Sequence, residues 1–212
     1  MLGMTTYGTI PNLAVLGWSI FLFEAARSGL AADVHLTIDA YIDWGRNRIV
    51  QDALDKGCTH LMFLDQDVSP PSDTLERLLL HDLPIVGGVY YGKEPGSPPV
   101  CGVFEPEFTR LIEVKPHLME LGWTGMGCTL IKCDVFREME AHYGDKKWYS
   151  TAENAGEDIW FCRRAQELGI PVFVDGSLVV GHVGQRIFTH KDYNRETLLR
   201  QGSDLQSDLL HP

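Results

Sequence analysis

Along residues 1–92, short apolar runs alternate with longer stretches in which apolar residues return every three or four positions. MLGMTTYGTI, residues 1–10, reads as a short strand entering a polar loop. NLAVLGWSIFLFEAARSG reads as a buried first helix, with Asn12 as its cap and Gly29 as its stop. DVHLTIDA is a strand ending at Asp39. In DWGRNRIVQDALDKG, Asp43 is placed to cap a helix, Ile49, Val50, Ala53 and Leu54 supply its inner face, and Gly57 ends it. HLMFL is a short apolar strand of the kind buried on both faces of a parallel sheet. SDTLERLLLH is a helix opened by an Asp73–Glu76 capping box, and PIVGGVYY is the next strand. Strand and helix therefore alternate four times, which predicts an α/β protein with a doubly wound, mostly parallel sheet. Ligands of such sheets sit beyond the carboxyl ends of the strands, where Thr5–Tyr7, Asp39 and Asp65 fall.

The second half changes character. GKEPGSPP is a Gly/Pro-rich loop, and VCGVFE with RLIEV suggests a hairpin, hence a short antiparallel element. LMELGWTGMGCTLIKC reads as a strand, a glycine-broken turn and another strand. DVFREMEAHYG and EDIWFCRRAQELG are helices closed by glycine, and IPVFVDGSLVVGHVG is a last strand with a turn. No repeat and no low-complexity segment interrupts the chain, so all 212 residues are expected to form one domain. Its parts are a first half over 1–92, a second half over 93–184 and a polar tail over 185–212.

Composition narrows the function. A net charge of −11 argues against a protein that grips nucleic acid by its phosphates, which takes a basic face. The five cysteines, Cys58, Cys101, Cys128, Cys133 and Cys162, fit neither a C-x-x-C pair nor a zinc knuckle and read as reduced, mostly buried thiols. The apolar stretch Leu13–Phe23 is too short to span a bilayer and lacks the basic flank and cleavage site of a signal peptide. A soluble cytoplasmic protein without a membrane span is the expectation.

The chemistry concentrates in LMFLDQDVSPP, where an apolar strand ends on Asp65 and Asp67. At i and i+2 of an extended chain two side chains point the same way, and two carboxylates so close need a cation between them. One reading is a strand-to-turn junction in which aspartates satisfy backbone donors. A second is an EF-hand-like calcium loop, with Asp65, Asp67, Ser69, Asp73 and Glu76 at ligand spacing; it puts Pro70 where a glycine makes the sharp turn. The third is a divalent ion held by carboxylates and completed by phosphate oxygens, as Mg²⁺ and Mn²⁺ are commonly bound.

RNRIVQDALDKGCTHLMFLDQDVSPP resembles the nucleotide-sugar half of GT-A-fold glycosyltransferases, whose hallmark D-x-D is here Asp65-Gln66-Asp67. GEDIWFCRRAQELGIPVFVDGSLVVGHVG resembles the E-D helix of the same family, followed by a strand and a G-H-x-G. The likeness covers about residues 39–92 and 120–184, and is nearest to the small, family 2-like enzymes common in phage and bacteria. It implies a GT-A fold with a Rossmann-like nucleotide-sugar-binding half and an acceptor half. It implies a Mn²⁺ or Mg²⁺ cofactor, a UDP- or GDP-sugar donor, and a carbohydrate or small-molecule acceptor. Asp67 then ligates the metal directly, Asp65 is shared between metal and ribose, and His182 is the third ligand, its neutral imidazole suiting Mn²⁺.

The remaining assignments follow the same likeness. Arg46 and Asn47, in the first turn of a helix, suit the nucleotide. Asp39 accepts hydrogen bonds from base or ribose, Thr5, Thr6 and Tyr7 flank the base, and Gln66 adjoins them. Trp123, Gly125, Met126 and Gly127 would approach the donor sugar, the indole stacking on its ring; a β-bulge around a core tryptophan is the competing reading. Asp158 is the general base for the acceptor hydroxyl and Glu157 grips acceptor or sugar, although acids at a helix N-terminus also serve its dipole. Such a base is needed if transfer inverts the anomeric carbon, toward which the resemblance leans. A metal-dependent nucleotidyltransferase or phosphate hydrolase, and a binding module without catalysis, remain the alternatives.

Overall fold

The computed structural model describes residues 1–30, 33–38, 40–104, 109–111, 113–151, 155–184 and 187–190. The first half contains β1 (Leu2–Thr6), α1 (Asn12–Arg27), β2 (Val34–Ile38), α2 (Ile42–Asp55), β3 (His60–Leu64), β4 (Val68–Ser69), α3 (Thr74–Leu80) and β5 (Ile85–Val89). Then come β6 (Cys101–Val103), β7 (Thr109–Arg110), β8 (Leu118–Leu121), β9 (Trp123–Thr124), β10 (Cys128–Lys132), α4 (Cys133–Tyr143), α5 (Glu157–Glu167), β11 (Val172–Val179), β12 (Gly181–Val183) and β13 (Ile187–Phe188). Seven strands form the central sheet in the order β2-β1-β3-β10-β5-β11-β8. β2, β1, β3, β5 and β11 run one way, and β10 and β8 run against them. This is the mixed α/β, Rossmann-like sheet, mostly parallel, that the alternation of patterns predicts.

Leu61 to Leu64 of β3 are all buried, and successive side chains join opposite layers. Leu61 and Phe63 join the layer of α2, α4 and α5, with Ile49, Val50, Phe136 and Phe161. Met62 and Leu64 join the layer of α1 and α3, with Trp18, Phe21, Leu75 and Leu78. β1 has no side chain at Gly3 because Ile49 leaves no room, its Cγ2 occupying the space a Cβ would need. Two small sheets, β13-β12-β4 and β7-β6-β9, flank the central one. The β6–β7 pair is the expected hairpin, reduced to two residue pairs among the described residues. All five cysteines are free, and burial pushes the thiols of Cys101, Cys128 and Cys162 up to about 12.

Three local expectations are corrected. Asn12 is the first helical residue of α1, and Pro11 takes the cap position with φ −61°, already suited to helix entry. α3 has no capping box: Asp73 at the cap position has φ −89° and ψ 5° rather than the extended backbone of a cap, and its side chain makes no cap hydrogen bond. Asp43 does not cap α2; one oxygen accepts the Thr151 hydroxyl at 2.8 Å, and Tyr41 precedes the helix. The glycine stops hold, with Gly29, Gly57, Gly144 and Gly169 all at positive φ.

The first helix is also less buried than its composition suggests. Ala14, Trp18, Phe21 and Ala25 face the sheet, whereas Leu16 and Phe23 on the outer side are 61% and 65% exposed. Beside it, edge strand β2 leaves Val34, Leu36 and Ile38 exposed. No helix among the described residues is long and apolar enough to cross a membrane. Asp39 and the tail from 191 onward lie outside the described residues.

One buried ion cluster ties α3 to the sheet. Asp175, at the irregular register of β11, meets Arg77 at 3.0 Å, His81 at 3.2 Å and the Ser177 hydroxyl at 2.6 Å. Burial works against its charge, yet these partners bring the carboxyl down to about 2. A depressed carboxylate contributes stability above the unfolded value, and that contribution disappears as pH falls through the folded one. Asp175→Asn is expected to lose about 2 kcal/mol of unfolding free energy at pH 7, a difference that closes between about pH 4 and pH 2. Urea unfolding of both proteins across that range checks it.

Candidate functional site

A cleft of about 650 Å³ opens beyond the carboxyl ends of β1 and β3, lined by Thr5, Thr6, Tyr7, Ala40, Tyr41, Ile42, Asp65, Gln66 and Asp67. Gly45 lets the first turn of α2 come close beneath it, since a Cβ there would stand 2.7 Å from both Thr5 Cγ2 and Thr37 Oγ1. The Thr5 hydroxyl is buried without a hydrogen-bond partner among the described residues, while Thr6 donates to the Thr37 carbonyl at 3.0 Å. Tyr7 and Tyr41 leave their rings in solvent, 76% and 87% exposed. Tyr41 was not singled out by the sequence, where it is one more residue between a strand and a helix.

The loop after β3 is held from three sides. Asp65 N–H donates to the Gly127 carbonyl at 3.0 Å, Val68 N–H returns to the Asp65 carbonyl at 3.2 Å, and Trp18 Nε1 of α1 donates to the Val68 carbonyl at 3.0 Å. β4 then pairs with β12, setting Val68 opposite His182. The Asp67 carbonyl accepts from Val183 N–H at 2.6 Å. Backbone pairing thus brings the second aspartate and the histidine together from opposite ends of the sequence.

His182 is anchored through one ring nitrogen. Its Nδ1 lies 2.6 Å from the Tyr91 carbonyl, which can only accept, so Nδ1 carries the proton. Nε2 lies 3.4 Å from Asp67 Oδ1. Tyr90 meets the imidazole edge-on at 5.4 Å. A proton on Nε2 or a cation between it and the Asp67 carboxylate satisfies their contact. Lys93, from the Gly/Pro-rich loop, makes an ion pair with the other oxygen of Asp67. Burial disfavours the Asp67 charge, yet His182 and Lys93 bring its carboxyl down to about 2.

Asp65 faces elsewhere. Its Oδ1 accepts from Arg46 Nη2 at 2.8 Å, and Arg46 Nη1 lies 2.7 Å from Glu157 Oε1 without the alignment of a hydrogen bond. The guanidinium is fully enclosed, with Phe63 and Tyr149 rings 5.7 and 5.9 Å away. Burial opposes its charge, but Asp65 and Glu157 more than offset it and hold the proton firmly. At the start of α5, burial raises the carboxyls of Glu157 and Asp158 above the ordinary range. Four carboxylates, Asp65, Asp67, Glu157 and Asp158, thus share two fixed cations, Arg46 and Lys93.

Several expected ligand contacts are spent internally. Gln66 clasps the Tyr7 backbone, accepting its N–H at 2.6 Å and donating to its carbonyl at 2.9 Å. Asn47 clasps Tyr149 the same way, at 3.0 and 2.7 Å. Arg46 is inside the protein and does not point at the cleft. Trp123 and Met126 are each only 1% exposed, in the core between β3 and α5, so the indole is not available to stack on a sugar. Gly125 and Gly127 are glycines because Tyr90 fills the space, its Oη lying where a Cβ at Gly125 would go. Asp65, Asp67 and His182 do not converge as a threesome: no group of three His, Cys, Asp or Glu side chains among the described residues is arranged to hold a metal. Asp67 and His182 are brought together, and Asp65 stands on the Arg46 side. Lys93 was missed because its loop shows no chemistry in sequence.

No protein-family profile and no curated protein matches this sequence. Among solved structures, A197 from STIV aligns over 87% of this chain and 86% of its own, at 18% identity and a TM-score of 0.53. The chain shares that fold. UDP-glucose pyrophosphorylase complexed with UDP-glucose covers 95% of this chain and 98% of its own, at 8% identity and a TM-score of 0.48. A glycosyltransferase involved in the glycosylation of the major capsid of PBCV-1 aligns over 69% of each chain, at 10% identity and a TM-score of 0.35.

Arg46→Met is expected to destabilise the protein by about 3 kcal/mol, because buried Glu157 and half-buried Asp65 lose their counter-charge. Adding Glu157→Gln should restore part of the loss. Equilibrium unfolding in denaturant reads both, and a loss below about 1 kcal/mol would show that Arg46 is not needed to neutralise them.

Proposed function

We propose that the chain is a GT-A glycosyltransferase that moves a sugar from a UDP- or GDP-sugar to a hydroxyl of a carbohydrate or small-molecule acceptor. The observation that carries the reading is the Asp67–His182 pair at the mouth of the cleft, 3.4 Å apart, with the imidazole Nδ1 anchored on the Tyr91 carbonyl. A carboxylate oxygen and an imidazole lone pair are a donor set for Mn²⁺ or Mg²⁺ that leaves positions open for phosphate oxygens. In this reading Asp67 and His182 would hold the ion, while Asp65 stays paired with Arg46. The bound ion would offset the negative charge that gathers on the departing diphosphate.

The chain's own groups then divide the work. The open cleft takes the nucleoside, with Thr5, Thr6 and the rings of Tyr7 and Tyr41 around the base. The Gln66 clasp holds Tyr7 in place for that contact. Asp158 accepts the proton of the attacking hydroxyl; a carboxyl raised by burial is a better proton acceptor at neutral pH than a solvated one. Glu157 reaches the site through Arg46, which fixes the start of α5 relative to Asp65.

Asp67→Ala is expected to abolish transfer and metal-dependent nucleotide binding with the fold retained, as read by isothermal titration with UDP and GDP in Mn²⁺. Asp158→Asn should keep donor binding and lower turnover at least about a thousandfold. Unchanged turnover in EDTA would end the metal role. A nucleotidyltransferase would instead form nucleoside triphosphate from donor and pyrophosphate. The cleft-side run TTYGTIPN carries no Lys or Arg for that chemistry.

A further inference from the structure

The outer face of α1 is apolar where a surface helix is ordinarily charged. Leu13, Leu16, Ile20 and Phe23 are 46%, 61%, 50% and 65% exposed, and they lie opposite the buried Ala14, Trp18, Phe21 and Ala25. Their spacing is 3, 4 and 3, the seam by which one helix packs along another. Scattered exposed leucines are ordinary, but four in one stripe leave roughly 400 Å² of apolar surface in water, at about 200 Å² for each fully exposed residue. Interfaces are about 60% apolar, so a stripe of this size belongs to an interface of roughly 700 Å² per partner, close to that of a stable pair.

We propose that this stripe is the contact by which two copies of the chain form a two-fold dimer through antiparallel α1 helices. The spacing 3-4-3 reads the same in both directions, so the stripe stays in register when it meets itself antiparallel, as an isologous contact. Antiparallel pairing about its midpoint sets Leu16 against Ile20 of the second copy and Leu13 against Phe23. Parallel pairing would instead bring Arg27, next on the same seam, against its own copy. A lipid surface is the weaker occupant. Arg27 is already paired with Glu24 at 2.7 Å, and the chain carries −11, whereas helices that lie on membranes rely on unpaired basic residues along their polar edge. The contact lies on the far side of α1 from the sheet and is independent of the reaction proposed above.

Sedimentation equilibrium at tens of micromolar protein tests the dimer. The wild-type chain is expected at twice the monomer mass. Leu16→Glu is expected at monomer mass with an unchanged circular dichroism spectrum. The double variant Leu16→Glu, Ile20→Lys should regain the dimer at low salt and lose it at high salt, because each introduced carboxylate then faces an introduced ammonium group on the other copy. A wild-type monomer at this concentration, or a dimer unaffected by Leu16→Glu, overturns the proposal. So does binding to neutral phosphatidylcholine vesicles that Leu16→Glu abolishes, which assigns the stripe to lipid.

Discussion

The Arg46 guanidinium is the charge on which the carboxyl end of the sheet depends. Enclosed between the Phe63 and Tyr149 rings, it would be costly alone, and it is tolerable only because Asp65 and Glu157 close on it from two sides. Those carboxylates belong to separate elements, the end of β3 and the start of α5. The ion pair therefore joins the half of the molecule that forms the cleft to the half that supplies Asp158. A site assembled from distant segments needs such a fastening, because neither end of the chain alone fixes the distance between them.

Much of this order was legible. Burial of HLMFL on both faces, glycine stops at Gly57 and Gly144, and an acidic pair at a strand end depend on local geometry, and local geometry is what a sequence encodes most directly. The pairing of Asp67 with His182 was legible only through resemblance, since 115 positions separate them and no periodicity connects them.

What stayed hidden involves groups whose chemistry is the same in two roles. An asparagine in the first turn of a helix satisfies a nucleotide or a backbone equally well, and Asn47 spends both functions of its amide on Tyr149. Gln66 does the same with Tyr7. Trp123 between glycines looks like a sugar platform, but the glycines make room for Tyr90 and the indole fills the core. Lys93 sits in a loop whose prolines and glycines announce only a turn, and its partner is known only once the chain has folded. The first helix misled in the opposite direction: apolar composition does not say how many layers will cover it.

The small sheet of β4, β12 and β13 has a consequence for how the chain can vary in length. Successive side chains of a strand point to opposite faces, so a slip of one position exchanges the faces. His182 reaches Asp67 because Val68 lies opposite it and Ser69 opposite Gly181. One residue added or lost between Asp67 and Ser69 would turn the imidazole away from the carboxylate while leaving both residues in the sequence. Gain and loss of residues should therefore be tolerated in the turn around Gly96 and forbidden in these few positions, however short the segment is.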